Sequence, residues 1–275
     1  MKTPGENRRI GVSLMSVLES LPVLSHYAKT RGWHYVISWL HRFTGIWLFL
    51  TLMAHMVTLS SWQTPNVFNT NMKIPVQPIL VFLAWASSLV LGFHALNGGR
   101  LILYELFGRR NDAAMIRWIF ALSAAYAAMV GLMMMMKNQR VSALFFWLMA
   151  VFFGAIAAYV VASRLWNKRH SVLWKLQRIS GGFLFVTVPA YLLFSFLNPG
   201  GADGAQGAAV WMQNVFTRLV TLTLATMAFY HAGYGLFSIA ADYTSPGITR
   251  AGMTALIVVV FAVLAVLAFR LVLSV

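Results

Sequence analysis

The chain has 275 residues, of which 60% are hydrophobic and only 10% charged, and it carries a formal net charge of +15. A water-soluble domain of this size needs far more polar surface, so the composition points to an integral membrane protein. The absence of cysteine excludes disulfides, thiolate zinc sites and any iron–sulfur cluster held by this chain.

Residues 1–33 are polar and basic (Lys2, Arg8, Arg9, Lys29, Arg31) and read as a cytoplasmic or interfacial segment without the pattern of a secretory signal. Val12 to Tyr27 fits an interfacial amphipathic helix that Pro22 would break. Seven apolar stretches then follow, at roughly 36–60, 77–104, 115–136, 141–163, 178–197, 211–239 and 251–273. Each reaches the length of about 20 residues that a hydrocarbon core requires, and a backbone without water must satisfy itself, so all seven are predicted helices. With the N-terminus on the inner side, only Lys73, Lys137, Arg140, Arg218 and Arg270 of the 21 Lys and Arg fall outside. That bias sets a cytoplasmic N-terminus and an outer C-terminus. The basic inner face suits anionic lipid and a docked acidic or mixed-charge protein; no soluble domain exists to present nucleic acid with a groove.

The first span opens with SWLHRFTG, in which Ser38 and Arg42 share a helical face and His41 adjoins them. The second contains FHALNGGRLILYE, with His94 and Glu105 eleven positions apart, about 16 Å along a helix. The fifth begins with QRISG, and the sixth carries HAGYGLFSIAADY, where His231 and Asp242 repeat the eleven-residue interval. The HRFTG and QRISG motifs are offset by 136 positions, and the two His and acid pairs by 137. The predicted fold is therefore an all-α membrane protein with seven transmembrane helices, built as two parallel three-helix repeats (34–140 and 167–275) joined by one linking helix (141–166). The linking helix returns the chain, so that both repeats start on the same side.

Ionisable groups inside spans are costly and mark function by default. His94 and His231 lie at matched depth on equivalent helices, with Gly98 and Gly235 one turn along the same faces. Two readings fit: bis-imidazole ligation of a haem, or paired hydrogen bonds holding helices together. His55 has Tyr191 as its repeat counterpart, which argues against a second bis-histidine site and makes it a satisfied structural histidine. Ser38, Arg42, Asp242 and Tyr243 converge at the inner boundary. They suit a ligand with an apolar body and polar ends, or else ordinary interfacial anchoring.

These motifs resemble the cytochrome b membrane anchors of succinate:quinone oxidoreductases, respiratory complex II. SWLHRFTG and HALNGGR with Glu105 are similar to the larger anchor subunit, and HAGYG followed by ADYTSP is similar to the smaller one. The resemblance implies a fusion of the two, in which His94 and His231 are axial ligands of one haem b. Ser38 and Tyr243 would bind quinone (ubiquinone or menaquinone) with Arg42 and Asp242 setting the local field. It further implies iron–sulfur and flavoprotein partners, catalysis only in that complex, and a place in the tricarboxylic acid cycle and respiration; the N-terminal sequence, which lacks the pattern of a presequence, suggests a bacterial inner membrane. Leu101 stands where the larger subunit often has a histidine, so the haem propionates would need His41, Arg42, Arg100 or Arg178. A haem-free structural anchor and a parallel-repeat secondary transporter are the competing readings.

Overall fold

The computed structural model describes residues 22–61, 64–73, 78–108, 112–136, 142–197 and 213–273. All regular structure among them is helical: α1 (Pro22–Arg31), α2 (Trp33–Ser60), α3 (Pro65–Lys73), α4 (Pro78–Phe107), α5 (Asp112–Met136), α6 (Ala143–Leu165), α7 (Val172–Leu197), α8 (Val215–Tyr243) and α9 (Ile248–Leu273). Most of the expected interfacial helix, and the basic residues Lys2, Arg8, Arg9, Arg109, Arg110, Lys137 and Arg140, lie outside the described residues.

Among the described residues, six helices are long and apolar enough to cross a membrane: α2, α4, α5, α6, α7 and α9. The remaining predicted span, the sixth at 211–239, corresponds to α8, which has 29 residues but falls short on apolarity. The reason is local. Thr217, Arg218, Thr221, Thr223, Thr226, Tyr230, His231 and Tyr234 all lie within it, so its sequence is diluted by the groups that give it chemistry. Pro22 stands at the first position of α1, where a missing N–H does no harm. The turn from α1 into α2 is a single residue, Gly32, held at φ 80, a conformation that a side chain would resist. A short helix not expected from the hydropathy, α3, follows α2 and buries Phe68.

Four helices form the centre. α2 packs on α4, α4 on α7, α7 on α8, and α8 on α2, which leaves α4 and α8 facing each other diagonally across the ring. α5 lies against α4 and α7, while α9 lies against α8 and α2. α6 packs mainly on α7. In lipid such contacts depend on close fit and not on the exclusion of water, so small residues lie at the seams. A Cβ on Gly154 of α6 would come within 2.7 Å of Thr187 Cγ2, and one on Gly182 of α7 within 3.0 Å of Val161 Cγ2. Between α4 and α5, a Cβ on Gly92 would lie 3.2 Å from the Ser123 backbone, and Trp85 Nε1 donates to Ala127 O at 3.0 Å. Tyr126 of α5 reaches α7 by donating to Pro189 O at 3.0 Å. The outward faces carry exposed Leu, Val, Ile and Phe side chains, as lipid-facing helices require.

Candidate functional site

His94 on α4 and His231 on α8 meet at the centre of the helix ring. Their ring centroids are 6.4 Å apart and their planes nearly perpendicular, at 87°. Metal–imidazole bonds are about 2 Å, so two rings binding one ion from opposite sides stand about 6 Å apart, centre to centre. Both rings are also oriented from behind. His94 Nδ1 lies 3.2 Å from His41 O and 3.2 Å from Thr44 Oγ1. His231 Nδ1 lies 3.3 Å from Gln177 O and 3.5 Å from Ser180 Oγ. A carbonyl oxygen can only accept, so Nδ1 carries the hydrogen and the lone pair is left at Nε2, the tautomer that a metal needs.

The glycines of the recurring R-x-[ST]-G motif have a steric task. A Cβ on Gly45 would lie 3.0 Å from His94 Cε1, and one on Gly181 would lie 3.0 Å from His231 Cε1. Thr44, Gly45, Ser180 and Gly181 were not among the expected site residues. The signal for them was the recurrence of their motif at the offset that relates the two histidine environments.

One turn along the bundle, toward the end where α2 begins and α4 and α8 finish, the His41 ring stacks on that of His94 at 4.1 Å and 7°. Among the described residues, the buried atoms without a hydrogen-bond partner include His41 Nδ1, Asn97 Oδ1 and Gln177 Oε1, all in this part of the protein. Each unmade bond costs about 1–3 kcal/mol in a buried setting, so such a concentration fits a group with polar edges bound beside the histidines. The space around Gly98 and Gly235 agrees. A Cβ on Gly98 would meet only His41 Cε1, at 3.6 Å, and one on Gly235 only Gln177 Nε2, at 3.9 Å.

Farther toward the same end are two ion pairs that connect the halves of the chain reciprocally. Arg42 NH2 donates to Asp242 Oδ2 at 2.6 Å, and Arg42 NH1 donates to the Tyr243 hydroxyl at 3.1 Å. Its guanidinium also lies over the Tyr243 ring, 5.5 Å from the centroid. Arg178, the counterpart of Arg42, binds Glu105, the counterpart of Asp242, through Nε and NH2, both at 2.8 Å. Lys168 Nζ donates to Glu105 O. At the second pair, Trp174 and Leu106 occupy the positions equivalent to Ser38 and Tyr243. The Trp174 ring lies 4.7 Å from the Arg178 guanidinium and 4.1 Å from the His170 ring.

The predicted site residues thus fall into three places. His94, His231 and His41 share the centre; Arg42, Asp242 and Tyr243 form one cluster, with Ser38 exposed one turn before Arg42 on α2. Arg178 is engaged by Glu105, and Arg100 is buried with its guanidinium 5.5 Å from the Tyr104 ring centroid. His55 lies apart, and its Nε2 is 3.0 Å from the hydroxyl of its own repeat counterpart, Tyr191.

Comparison with curated proteins and with solved structures gives no significant match. The profile of one family, described as the succinate dehydrogenase/fumarate reductase transmembrane subunit, matches twice, over residues 21–132 and 160–269. The two matches carry the two equivalent histidine environments and leave most of α6 between them. The chain therefore belongs to the succinate dehydrogenase/fumarate reductase transmembrane subunit family, as a single polypeptide containing two copies of the domain.

Proposed function

We propose that this membrane anchor subunit of succinate dehydrogenase/fumarate reductase holds one haem b and a quinone, and conducts electrons between the quinone and a docked iron–sulfur subunit. The haem would be held by His94 and His231; when bound, it supplies a one-electron relay in the low-dielectric interior. The observation that carries this reading is the facing pair of imidazoles, each with Nδ1 directed to a carbonyl and a hydroxyl.

The quinone site of this proposal is the cluster of Ser38, Arg42, Asp242 and Tyr243. Because the Tyr243 oxygen accepts from Arg42, its own hydrogen is free to donate to a quinone carbonyl. Asp242 holds Arg42 in place, and its exposure gives it contact with water as a source of protons. The Ser38 hydroxyl, one turn away, would supply a second donor. A carbonyl that gains negative charge is stabilised by such fixed donors near a cation.

In this reading the bundle has seven crossings, α8 being the sixth, arranged as parallel units 34–140 and 167–275 joined through 141–166. The N-terminus faces the cytoplasm of a bacterial inner membrane. The diagonal pairing of α4 with α8, and the equivalent seats of α5 and α9, support a pseudo-twofold axis along the membrane normal. The iron–sulfur and flavoprotein subunits would dock at the end bearing Arg42 and Arg178.

A reduced-minus-oxidised visible spectrum of the detergent-purified complex, with haem quantified per chain, tests the proposal. One b-type haem per chain, lost in His94→Ala and His231→Ala, is the expected result. A wild-type complex without haem would refute haem binding and reduce the histidines to helix contacts.

A further inference from the structure

The environment of Gln177 repeats that of His41, and this extends the haem reading on which it rests. The two residues are 136 positions apart and occupy the same place before R-x-[ST]-G. Each uses its backbone carbonyl to hold Nδ1 of an axial histidine candidate, His41 for His94 and Gln177 for His231. Each side chain borders the glycine one turn beyond that histidine, Gly98 in one half and Gly235 in the other. Each also has a buried polar atom with no partner, Nδ1 of His41 and Oε1 of Gln177.

A long polar side chain in an apolar bundle normally finds a hydrogen bond within the protein. Gln177 is only 7% exposed, yet its amide oxygen has no bond. The arginine that follows it does not supply one, because Arg178 is bound bidentately to Glu105. An amide carries both acceptor and donors at its tip, and rotation by half a turn exchanges them. It can therefore donate to an ionised carboxylate or accept from a protonated one.

We propose that Gln177 is a cofactor-positioning residue that would hydrogen bond a haem carboxylate from the second half of the bundle, as its counterpart His41 would from the first. The site is then chemically lopsided, with an imidazole on one side and a neutral amide on the other. A donor on that carboxylate disperses negative charge near the iron and so favours the reduced state.

The test uses the purified complex with Gln177→Met, which keeps the length of the side chain and removes its polarity, and Gln177→His, which places the residue of the first half in the second. Haem per chain and the reduced-to-oxidised ratio at fixed potential are measured for both. Gln177→Met should retain haem and lower the ratio at least threefold, roughly 30 mV at 59 mV per tenfold for one electron, while Gln177→His should remain near wild type. Loss of haem in Gln177→Met but not in Gln177→His would support the same contact more strongly. An unchanged ratio in Gln177→Met, or equal haem loss in both variants, would overturn the inference. Absence of haem from the wild-type complex would instead overturn the reading beneath it.

Discussion

Arg42 and Arg178 occupy equivalent positions, yet their removal should produce opposite phenotypes. Arg178 and Glu105 form two contacts of 2.8 Å with side chains 25% and 27% exposed. Arg42 and Asp242 form one contact of 2.6 Å with side chains 36% and 52% exposed. Exposed pairs contribute about 0–1 kcal/mol, while stranding one partner of a fully buried pair costs about 3–5 kcal/mol. The three-quarters-buried Arg178 pair falls between these limits, at about 2 kcal/mol. At ~2–4 °C per kcal/mol for a chain of this size, Arg178→Met should lower the unfolding temperature of the purified complex by about 4–8 °C. Arg42→Met should lower it by no more than about 2–4 °C, but should abolish most quinone turnover, which Arg178→Met should largely preserve. The double variant Arg178→Met/Glu105→Met should unfold no lower than either single variant, because it leaves no lone charge. Tryptophan fluorescence during a thermal ramp reads the first quantity, and quinone reduction by the intact complex reads the second. Equal thermal shifts for the two arginines, or strict additivity in the double variant, would refute the reasoning.

Gly45→Ala and Gly181→Ala should each displace an imidazole by several tenths of an ångström, since the new Cβ would lie 3.0 Å from Cε1 where contacts are normally about 3.5–4.0 Å. Haem retention should fall in both variants, as measured by haem extraction from the purified complex, while Gly252→Ala, where nothing lies within 4 Å, serves as the silent control. Tyr243→Phe retains the ring beside Arg42 and deletes the proposed quinone donor. Its KM for quinone should rise about tenfold, the equivalent of one lost hydrogen bond of about 1.4 kcal/mol, and steady-state kinetics with wild-type KM would count against that role.

The helices were legible because burial in lipid imposes a length and an apolar content that survive in one dimension. The α2 prediction at 36–60 and the α4 prediction at 77–104 differ from the structure by a few residues at their ends. Partner choice was harder to read. Glu105 and Arg178 are 73 residues apart, and an isolated arginine at a helix end is equally compatible with a haem propionate or a carboxylate. The partners became inferable only once each half's arginine was seen to cross to the other half's acid. Thr44 and Ser180 were hidden for another reason: hydroxyls in membrane helices usually return their hydrogen to the preceding turn, as Thr44 also does toward Leu40 O at 2.8 Å. Only the approach of a histidine ring from another helix gives them a second role. The helix α3 carries too few apolar residues to announce itself, although Phe68 is almost fully buried.

The connection through α6 has a consequence for how the two domain copies can diverge. When separate chains must find each other in the bilayer, every contact between them contributes to recognition. Covalent linkage makes the encounter intramolecular, with an effective concentration in the millimolar range for short connections. The contacts between the copies are then released from securing assembly. Trp174 and Leu106 at one end, against Ser38 and Tyr243 at the other, are a difference that such freedom permits. The linkage also fixes a ratio of one to one between the copies and prevents like copies from pairing, so the chain always presents both kinds of end.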